Sequence, residues 1–208
     1  MNPATPRLRA TDAGWIEVIA GGMFSGKSEE LIRRLRRARI ARQKVQAFHP
    51  ALDRRYSESE IVSHDARRIP STAVADVEDL RRALDPDTLV VGIDEVQFLG
   101  PGLVAFCVEL AAAGRRVIVA GLDMDYRGEP FEPVPQLMAV AEEVTKAHAV
   151  CVVCGAPASY SQRIVAGDER VMVGAAETYE PRCRAHFERP APRGEEASRA
   201  TGAGGEAP

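Results

Sequence analysis

The sequence lacks several features that would place it in a specialised class of protein. It has only four cysteines in 208 residues, too few for a disulfide-stapled scaffold. No apolar run approaches the roughly 18 residues that a membrane-spanning helix needs, and residues 1–13 lack the hydrophobic stretch of a signal peptide. The formal net charge of −3 gives no overall attraction to nucleic acid or to an anionic membrane. We therefore expect a cytoplasmic protein that binds neither nucleic acid nor membrane.

The apolar segments that are present recur with helical patterns between them. With 45% hydrophobic residues the chain can bury a substantial core. Short β-branched segments predict strands at residues 16–20, 44–49, 88–93 and 116–122. Helical periodicity predicts helices at residues 29–41, 77–84, 103–113 and 135–141. This alternation is typical of an α/β protein with a parallel sheet.

Composition also predicts how the chain is divided. Residues 50–70 are polar and poorly periodic, which predicts a mobile loop. From about residue 145 the chain carries cysteines, with short strands predicted near 150–152 and 170–173. The predicted organisation is a disordered N-terminus (1–13), a nucleotide-binding domain (14–144), a small cysteine-bearing subdomain (145–187) and a disordered tail (188–208).

A glycine-rich segment after the first predicted strand matches the phosphate-loop pattern G-x-x-x-x-G-K-[ST]. In such loops backbone N–H groups cradle phosphates, the lysine reaches the β and γ oxygens, and the hydroxyl binds Mg²⁺. A helix that begins at the loop adds N–H donors and a favourable dipole. The eight residues are Gly21, Gly22, Met23, Phe24, Ser25, Gly26, Lys27 and Ser28. The pattern predicts binding of a nucleoside triphosphate with Mg²⁺ and leaves the phosphate acceptor open.

An Asp-Glu pair closes the third predicted strand. Asp94, at the carboxyl end of a buried strand, is expected to hold Mg²⁺ together with Ser28. If the backbone is extended there, Glu95 points the other way, toward an acceptor whose hydroxyl proton a carboxylate can remove. The same pair occurs in ATPases, where the glutamate activates water. The dipeptide alone leaves both functions open.

Two ligand pairs of the tetrahedral zinc type lie in the C-terminal part, Cys151-x-x-Cys154 and Cys183-x-x-His186. Three thiolates and one imidazole fill all four positions, which predicts a structural Zn²⁺ rather than a catalytic one. Cys107 belongs to an apolar helical face and is expected in the core. The arginine-rich stretch 33–39 is expected to be a solvated helix face. A nucleic-acid-binding zinc module remains an alternative, although no aromatic residues interleave with these arginines.

In this order the motifs resemble the zinc-containing thymidine kinases of the cytosolic type, over about residues 15–187. The phosphate loop, the two zinc pairs and Tyr179 belong to this resemblance. Its other specific parts are three segments: Asp53-Arg54-Arg55-Tyr56-Ser57 with Ser63-His64-Asp65, Asp94-Glu95-Val96-Gln97-Phe98, and Gly121-Leu122-Asp123-Met124-Asp125-Tyr126-Arg127-Gly128-Glu129-Pro130-Phe131. The resemblance implies a P-loop, RecA-like parallel-sheet core with a small zinc-ribbon subdomain whose loop covers the substrate.

The resemblance also implies an activity, the transfer of the γ-phosphoryl group of ATP to the 5′-hydroxyl of thymidine in deoxynucleoside salvage for DNA synthesis. It makes Glu95 the base, with Lys27 and Arg55 at the transferring phosphate. The nucleotide would be bound by the phosphate loop and by Asp53, Arg54, Arg55, Asp94, Glu95, Val96 and Gln97. Thymidine would meet Met23, Phe98, Leu122, Tyr126, Phe131, Ser161, Arg170, Val171, Met172, Val173, Gly174 and Tyr179. Members of the family are usually homotetramers that thymidine triphosphate inhibits.

Three residues depart from the common pattern of the family. His186 stands where some members have cysteine, which is chemically equivalent for zinc. Tyr126 replaces a frequent phenylalanine, and Ser161, expected near the thymine methyl group, replaces the more usual threonine. The last two bear on the preference for thymidine over deoxyuridine analogues.

Overall fold

A parallel β-sheet forms the centre of the computed structural model, which describes residues 13–51, 60–62, 68–165, 167 and 177–190. The strands, numbered along the chain, are β1 (Trp15–Gly21), β2 (Val45–Pro50), β3 (Glu60–Val62), β4 (Arg68–Pro70), β5 (Thr72–Val74), β6 (Val90–Ile93), β7 (Arg116–Gly121), β8 (Glu143–Ala147), β9 (Ala149–Val150), β10 (Pro157–Ala158), β11 (Tyr160–Arg163) and β12 (Tyr179–Arg182). The α-helices are α1 (Lys27–Ile40), α2 (Val77–Ala83), α3 (Gly102–Ala112) and α4 (Val134–Val140). A 3-10 turn covers Val96–Phe98.

The central sheet has six strands in the order β5-β2-β6-β7-β1-β8, and every pairing between neighbours is parallel. A parallel sheet must be covered on both faces, and alternation along β1 supplies a residue to each. Val18 belongs to a core cluster with residues of α2, α3 and α4, whereas Ile19 belongs to a second cluster with α1. The result is a three-layer α/β arrangement in which the carboxyl ends of all six strands meet at one edge. The predicted fold class is confirmed.

Helix α1 follows the phosphate loop because its sequence supports a helix at both ends. Glu29 and Glu30 in the first turn and Arg37 and Arg39 in the last complement the helix dipole. Its apolar residues Leu31, Ile32, Leu35 and Ala38 are buried against the sheet. The helix begins at Lys27, so the last two residues of the loop are already its first two.

A buried ion network joins α1 to the sheet. Glu17 of β1, which is 2% exposed, accepts hydrogen bonds from Arg34 of α1 and Arg116 of β7, each at 2.6 Å. Trp15 Nε1 donates to the same carboxylate at 2.7 Å, and Arg34 also donates to Thr145 of β8 at 2.9 Å. Burial opposes ionisation of Glu17, but its bonds to Arg116, Trp15 and Arg34 prevail and hold the pKa of this carboxyl below its ordinary value. The Glu17 carboxylate therefore joins β1 to α1 and β7, and Arg34 extends the network to β8.

The predicted mobile loop at residues 50–70 is partly wrong. Strands β3 and β4 in this stretch pair as an antiparallel ladder, and Ile61 and Ile69 are fully buried in the core cluster that contains α1. The two isoleucines are separated by a mainly polar stretch, so they leave no periodic signal in the sequence. Asp53, Arg54, Arg55 and the segment 63–65 lie outside the described residues.

The C-terminal part forms two small antiparallel sheets, β9 with β10 and β11 with β12. The strand predicted near 150–152 is the two-residue β9, and the one predicted at 170–173 lies outside the described residues, as do 1–12 and 191–208. Strand β8 crosses the predicted boundary at 144/145 and pairs with β1 along its whole length. Within the described ranges, no helix combines the length and apolarity needed to cross a membrane.

Candidate active site

The segment Gly21 to Ser28 joins β1 to α1 and closes on itself. Gly26 adopts φ 79°, a left-handed conformation that glycine tolerates, and this turn starts α1 at Lys27. Lys27 Nζ and Ser25 Oγ both donate to the carbonyl oxygen of Gly22, each at 2.8 Å. The helix N-terminus and the lysine thus lie at one turn, the arrangement that suits an anionic phosphate chain.

Two residues of this loop contact the C-terminal part of the chain. The Met23 N–H donates to Ser161 Oγ of β11 at 2.9 Å. Phe24, held at φ 63°, packs against the small core formed by Ala149, Ala158 and two of the cysteines. A bulky residue with positive φ is uncommon and persists where its surroundings hold it in place. The loop is therefore supported from outside the central sheet.

The Asp-Glu pair lies at the carboxyl end of β6. Asp94 is 1% exposed and Glu95 is 8% exposed. The Asp94 N–H donates to Phe48 of β2 at 3.0 Å, and the Glu95 N–H donates to Asp94 Oδ1 at 2.9 Å. The expectation of an extended backbone at Glu95 is wrong, because this residue adopts φ 48° and ψ 42° and starts the 3-10 turn. The turn, not strand alternation, sets the direction of its side chain.

Gln97 connects Glu95 to the next strand. Its Nε2 donates to Glu95 Oε2, and its Oε1 accepts from the Leu122 N–H at 3.1 Å, immediately after β7. Gln97 is buried. The sequence placed Gln97 in the nucleotide-site segment but did not show that its amide contacts the neighbouring carboxylate.

Sheet topology brings these parts to one edge. Strand β7 lies between β6, which carries Asp94 and Glu95, and β1, which leads into the phosphate loop. In parallel α/β sheets ligands bind beyond the carboxyl ends of the strands. The two buried carboxylates of Asp94 and Glu95, together with a phosphate loop at this edge, suit a nucleotide with a bound cation.

Several residues predicted to meet a nucleoside lie in the 3-10 turn after β6, in the stretch after β7 and in the C-terminal sheets. Phe98 and Phe131 meet edge to face, with ring centroids 6.3 Å apart. Tyr126 and Tyr179 come together through Arg163, whose guanidinium lies 3.6 Å from the Tyr126 ring centroid and donates to the Tyr179 hydroxyl at 3.0 Å. Aromatic faces next to buried polar groups are typical of a pocket for a flat heterocycle.

The sequence did not identify Arg163 as a site residue. It also donates to the Gly167 carbonyl at 2.9 Å, so it holds residues on both sides of the segment 168–176. The one signal available was its position two residues after Ser161, on the same face of a short strand. That spacing does not reveal Tyr126 as a partner.

A second pair of charges that the sequence did not indicate lies at the same edge. Lys146 Nζ of β8 lies 2.8 Å from Asp123 Oδ2, in the loop after β7. The carboxylate oxygens of Asp123 are buried and make no aligned hydrogen bond, so this is an ion contact without hydrogen-bond geometry. It joins strand ends on either side of β1.

The four predicted zinc ligands form a cluster. The three Sγ atoms and a ring nitrogen of His186 all lie within 4.8 Å of one another. Cys154 Sγ is 3.7 Å from Cys183 Sγ, and Cys151 Sγ is 3.8 Å from His186 Nδ1. Bonds of about 2.3 Å to a tetrahedral zinc put sulfur ligands about 3.8 Å apart, so these separations fit that ion.

Two tight turns present these ligands. Gly155, with φ 73°, donates its N–H to the Cys151 carbonyl at 2.9 Å, and the His186 N–H donates to Cys183 at 3.0 Å. Burial of the Cys151 thiol opposes ionisation, but backbone N–H groups of Cys183, Val153 and Cys154 lower its pKa to about 6. A thiolate is the form that binds metal.

Some predicted site residues are not described. Asp53, Arg54, Arg55 and the run Arg170, Val171, Met172, Val173 and Gly174 lie outside the described residues. The remaining predicted residues gather at the carboxyl edge of the sheet and at the adjoining C-terminal sheets.

Comparisons with known proteins agree with this arrangement. The family model described as thymidine kinase matches residues 14–187. A thymidine kinase of Bdellovibrio bacteriovorus is 59% identical over 174 residues, which cover 84% of this chain and 85% of that protein. A thymidine kinase of a Rhodothermus species is 60% identical over 179 residues, covering 86% and 84% of the two chains.

Proposed function

The chain belongs to the thymidine kinase family, and from that premise we propose that it transfers the γ-phosphoryl group of ATP to the 5′-hydroxyl of thymidine. The products are ADP and thymidine monophosphate. This reaction is a step of deoxynucleoside salvage for DNA synthesis. The observation that carries the proposal is the buried Glu95 carboxylate beside Asp94, at the sheet edge to which β1 delivers the phosphate loop.

The residues divide the reaction between them. The loop from Gly21 to Ser28 cradles the phosphates, and Lys27 stabilises negative charge on the β and γ groups. Ser28 and the buried Asp94 supply the oxygen ligands that suit Mg²⁺, which neutralises phosphate charge when bound. Glu95 takes the proton of the 5′-hydroxyl group. As it does so, the hydroxyl oxygen bonds to the γ phosphorus, and the bond between that phosphorus and the bridging oxygen, which leaves with ADP, breaks.

Thymidine binds between the turn after β6, the stretch after β7 and the phosphate loop. Leu122, Tyr126, Phe98 and Phe131 present apolar and aromatic surface to the pyrimidine, and Met23 approaches from the phosphate loop. By family resemblance, Arg55 with Asp53 and Arg54 would line the phosphate side, and residues 170–174 would read the base through backbone hydrogen bonds, close to Tyr179.

Cys151, Cys154, Cys183 and His186 hold a structural Zn²⁺ in this proposal. Four protein ligands leave no position for a substrate or a reactive water, so the ion stabilises the turns that carry it. By family resemblance we also propose a cytoplasmic homotetramer that thymidine triphosphate inhibits.

Thymidine dependence tests the proposed reaction directly. ADP formation from ATP and Mg²⁺ would be measured with and without thymidine, and thymidine monophosphate would be identified as the second product. We expect turnover to require thymidine. Equal ADP formation without thymidine would instead make the protein an ATPase in which Glu95 activates water.

Glu95→Gln tests the proton acceptor. The amide keeps the shape of the side chain but accepts no proton, so kcat should fall by roughly a hundredfold or more, the range typical for general-base assistance. Binding of ATP and thymidine, measured by calorimetry, should persist. Glu78→Gln, on the exposed surface of α2, is the matched control and should leave kcat unchanged. Near-normal turnover of Glu95→Gln would remove Glu95 from the mechanism.

A further inference from the structure

Glu95 needs an external restraint to keep a defined direction. Its backbone is in the left-handed region, with φ 48° and ψ 42°, which is uncommon for a residue other than glycine. Such conformations persist where the surroundings over-determine them, and they concentrate at functional sites. Two backbone hydrogen bonds hold the main chain here, from the Glu95 N–H to Asp94 Oδ1 and from the Phe98 N–H to the Glu95 carbonyl. They act on the backbone, so the carboxylate depends on contacts of its own.

Gln97 supplies a restraint on the carboxylate. The Leu122 N–H can only donate, so the atom of Gln97 that it meets at 3.1 Å must be the amide oxygen. That fixes the orientation of the amide, and the Nε2 group necessarily faces Glu95 Oε2. An ionised carboxylate accepts only, so the two ends of the amide have matching partners.

The backbone at the end of β7 makes room for the side chain of Gln97, which bridges Glu95 and the Leu122 N–H. A Cβ at Gly121 would lie 2.8 Å from Gln97 Oε1 and 2.7 Å from Val96 Cγ2, too close for either contact. The absence of a side chain at Gly121 therefore lets the 3-10 turn lie against the end of β7. The bridge joins the end of β6 to the residue that begins the proposed thymidine pocket.

We propose that Gln97 is a positioning residue that aims the Glu95 carboxylate at the acceptor hydroxyl, using the Leu122 backbone as its fixed point. The inference rests on the proposed function of Glu95. It differs from a direct contact of Gln97 with the nucleotide, because both polar ends of the amide already face protein groups. Loss of the bridge leaves the base present but poorly aimed.

A double-mutant cycle tests this inference. Steady-state kinetics with ATP, Mg²⁺ and thymidine would compare the unaltered protein, Glu95→Gln, Gln97→Met and the double variant. Gln97→Met keeps the length and loses the amide, and kcat should fall about tenfold to a hundredfold, a part of the roughly 10²–10⁴-fold that general-base assistance supplies. The KM values for ATP and thymidine should change little. In the Glu95→Gln background Gln97→Met should cost no further rate, because its partner is already gone.

Two further variants separate positioning from folding. Gln97→Glu still accepts from the Leu122 N–H but has no donor for Glu95, so kcat should fall at least as far as in Gln97→Met. Gln46 is a matched control, since its amide also bridges two ways, donating to Ala83 at 3.1 Å and accepting from the Asp85 N–H at 2.8 Å. Gln46→Met should lower the melting temperature and leave kcat unchanged.

The outcomes are distinct. If Glu95→Gln alone is strongly impaired and the fold-losses in kcat of the two single variants multiply in the double variant, the two residues act independently. That result would overturn the role of Gln97 and leave that of Glu95. A raised KM for ATP with kcat retained would make Gln97 a nucleotide contact and also overturn the inference. Near-normal turnover of Glu95→Gln would instead overturn the proposal that Glu95 is the base. The positioning role of Gln97 would then fall as well.

Discussion

At the scale of single residues, Ser161 makes a contact that the sequence did not indicate. It was expected near the thymine methyl group, and its hydroxyl accepts the N–H of Met23 in the phosphate loop. Ser161→Ala should leave this N–H without its acceptor and raise the KM for ATP as well as for thymidine, by about fivefold to a hundredfold, since leaving one donor unpaired costs about 1–3 kcal/mol.

The matched control for this change is Ser161→Thr, which retains the hydroxyl and should keep most of the affinity for both substrates. KM values for ATP and thymidine, measured on all three proteins, provide the comparison. A rise confined to the thymidine KM in Ser161→Ala would assign the hydroxyl to the base rather than to the loop.

Single residues also mark the limit of sequence-based prediction. The eight loop residues and the four metal ligands were recognisable because their spacing along the chain is itself the functional constraint. Arg163 was not, because its partners Tyr126 and Tyr179 are brought to it by the fold. The left-handed backbone of Glu95 was missed for a similar reason, since the 3-10 turn that causes it depends on packing against Gly121.

At the scale of elements, the ion network around Glu17 joins β1 to α1 and β7. Glu17→Ala should lower the free energy of unfolding by about 3 kcal/mol at neutral pH, because removing one member of a buried pair leaves the other charges uncompensated. Glu78→Ala on the exposed face of α2 is the control and should stay within about 0.5 kcal/mol of the unaltered protein. Urea denaturation of the three proteins measures the difference.

The pH dependence of that difference follows from the lowered pKa of Glu17. A carboxyl whose pKa is lower in the folded state contributes stability above its unfolded value of 4.5, and the contribution is lost as the pH falls through the folded value. The gap between the unaltered protein and Glu17→Ala should therefore narrow in acid. A gap that is constant with pH would show that packing, not charge, explains the effect.

Predictability of the elements follows their burial. The strands β1, β2, β6 and β7 occupy the middle of the sheet, and their sequences are mostly apolar and bounded by polar stretches, so all four were predicted. Strands β5 and β8 lie at its two edges and were missed. In β8 exposed and half-buried residues alternate, and its sequence, Glu143-Val144-Thr145-Lys146-Ala147, carries no apolar run.

At the scale of the whole molecule, the cluster of three cysteines and His186 and the phosphate loop are in contact. The small core that contains Cys151 and Cys183 packs against Phe24, and Ser161 of the same part of the chain binds Met23. Removing zinc with a chelator should therefore weaken thymidine binding most and ATP binding to a smaller extent, before the central sheet unfolds. Calorimetry would measure both affinities and far-ultraviolet circular dichroism the sheet.

Two cysteine variants control for the loss of metal. Cys183→Ser should lower the zinc content, measured by atomic absorption, and reproduce the binding losses. Cys107→Ala should retain full zinc content, since this thiol is buried in α3 away from the cluster and burial raises its pKa to about 12. Unchanged ATP affinity after complete zinc removal would show that Phe24 does not transmit the change.

The position of β7 between β6 and β1 has a consequence for how this scaffold can be altered. The strands that deliver the phosphate-handling groups lie on either side, and the strand between them leads into the stretch that starts at Leu122. The Leu122 N–H anchors Gln97, which contacts Glu95, so the backbone at 122 belongs with the phosphoryl chemistry. Redesign for a new nucleoside therefore begins with the side chains of residues 123–131, which follow that anchor.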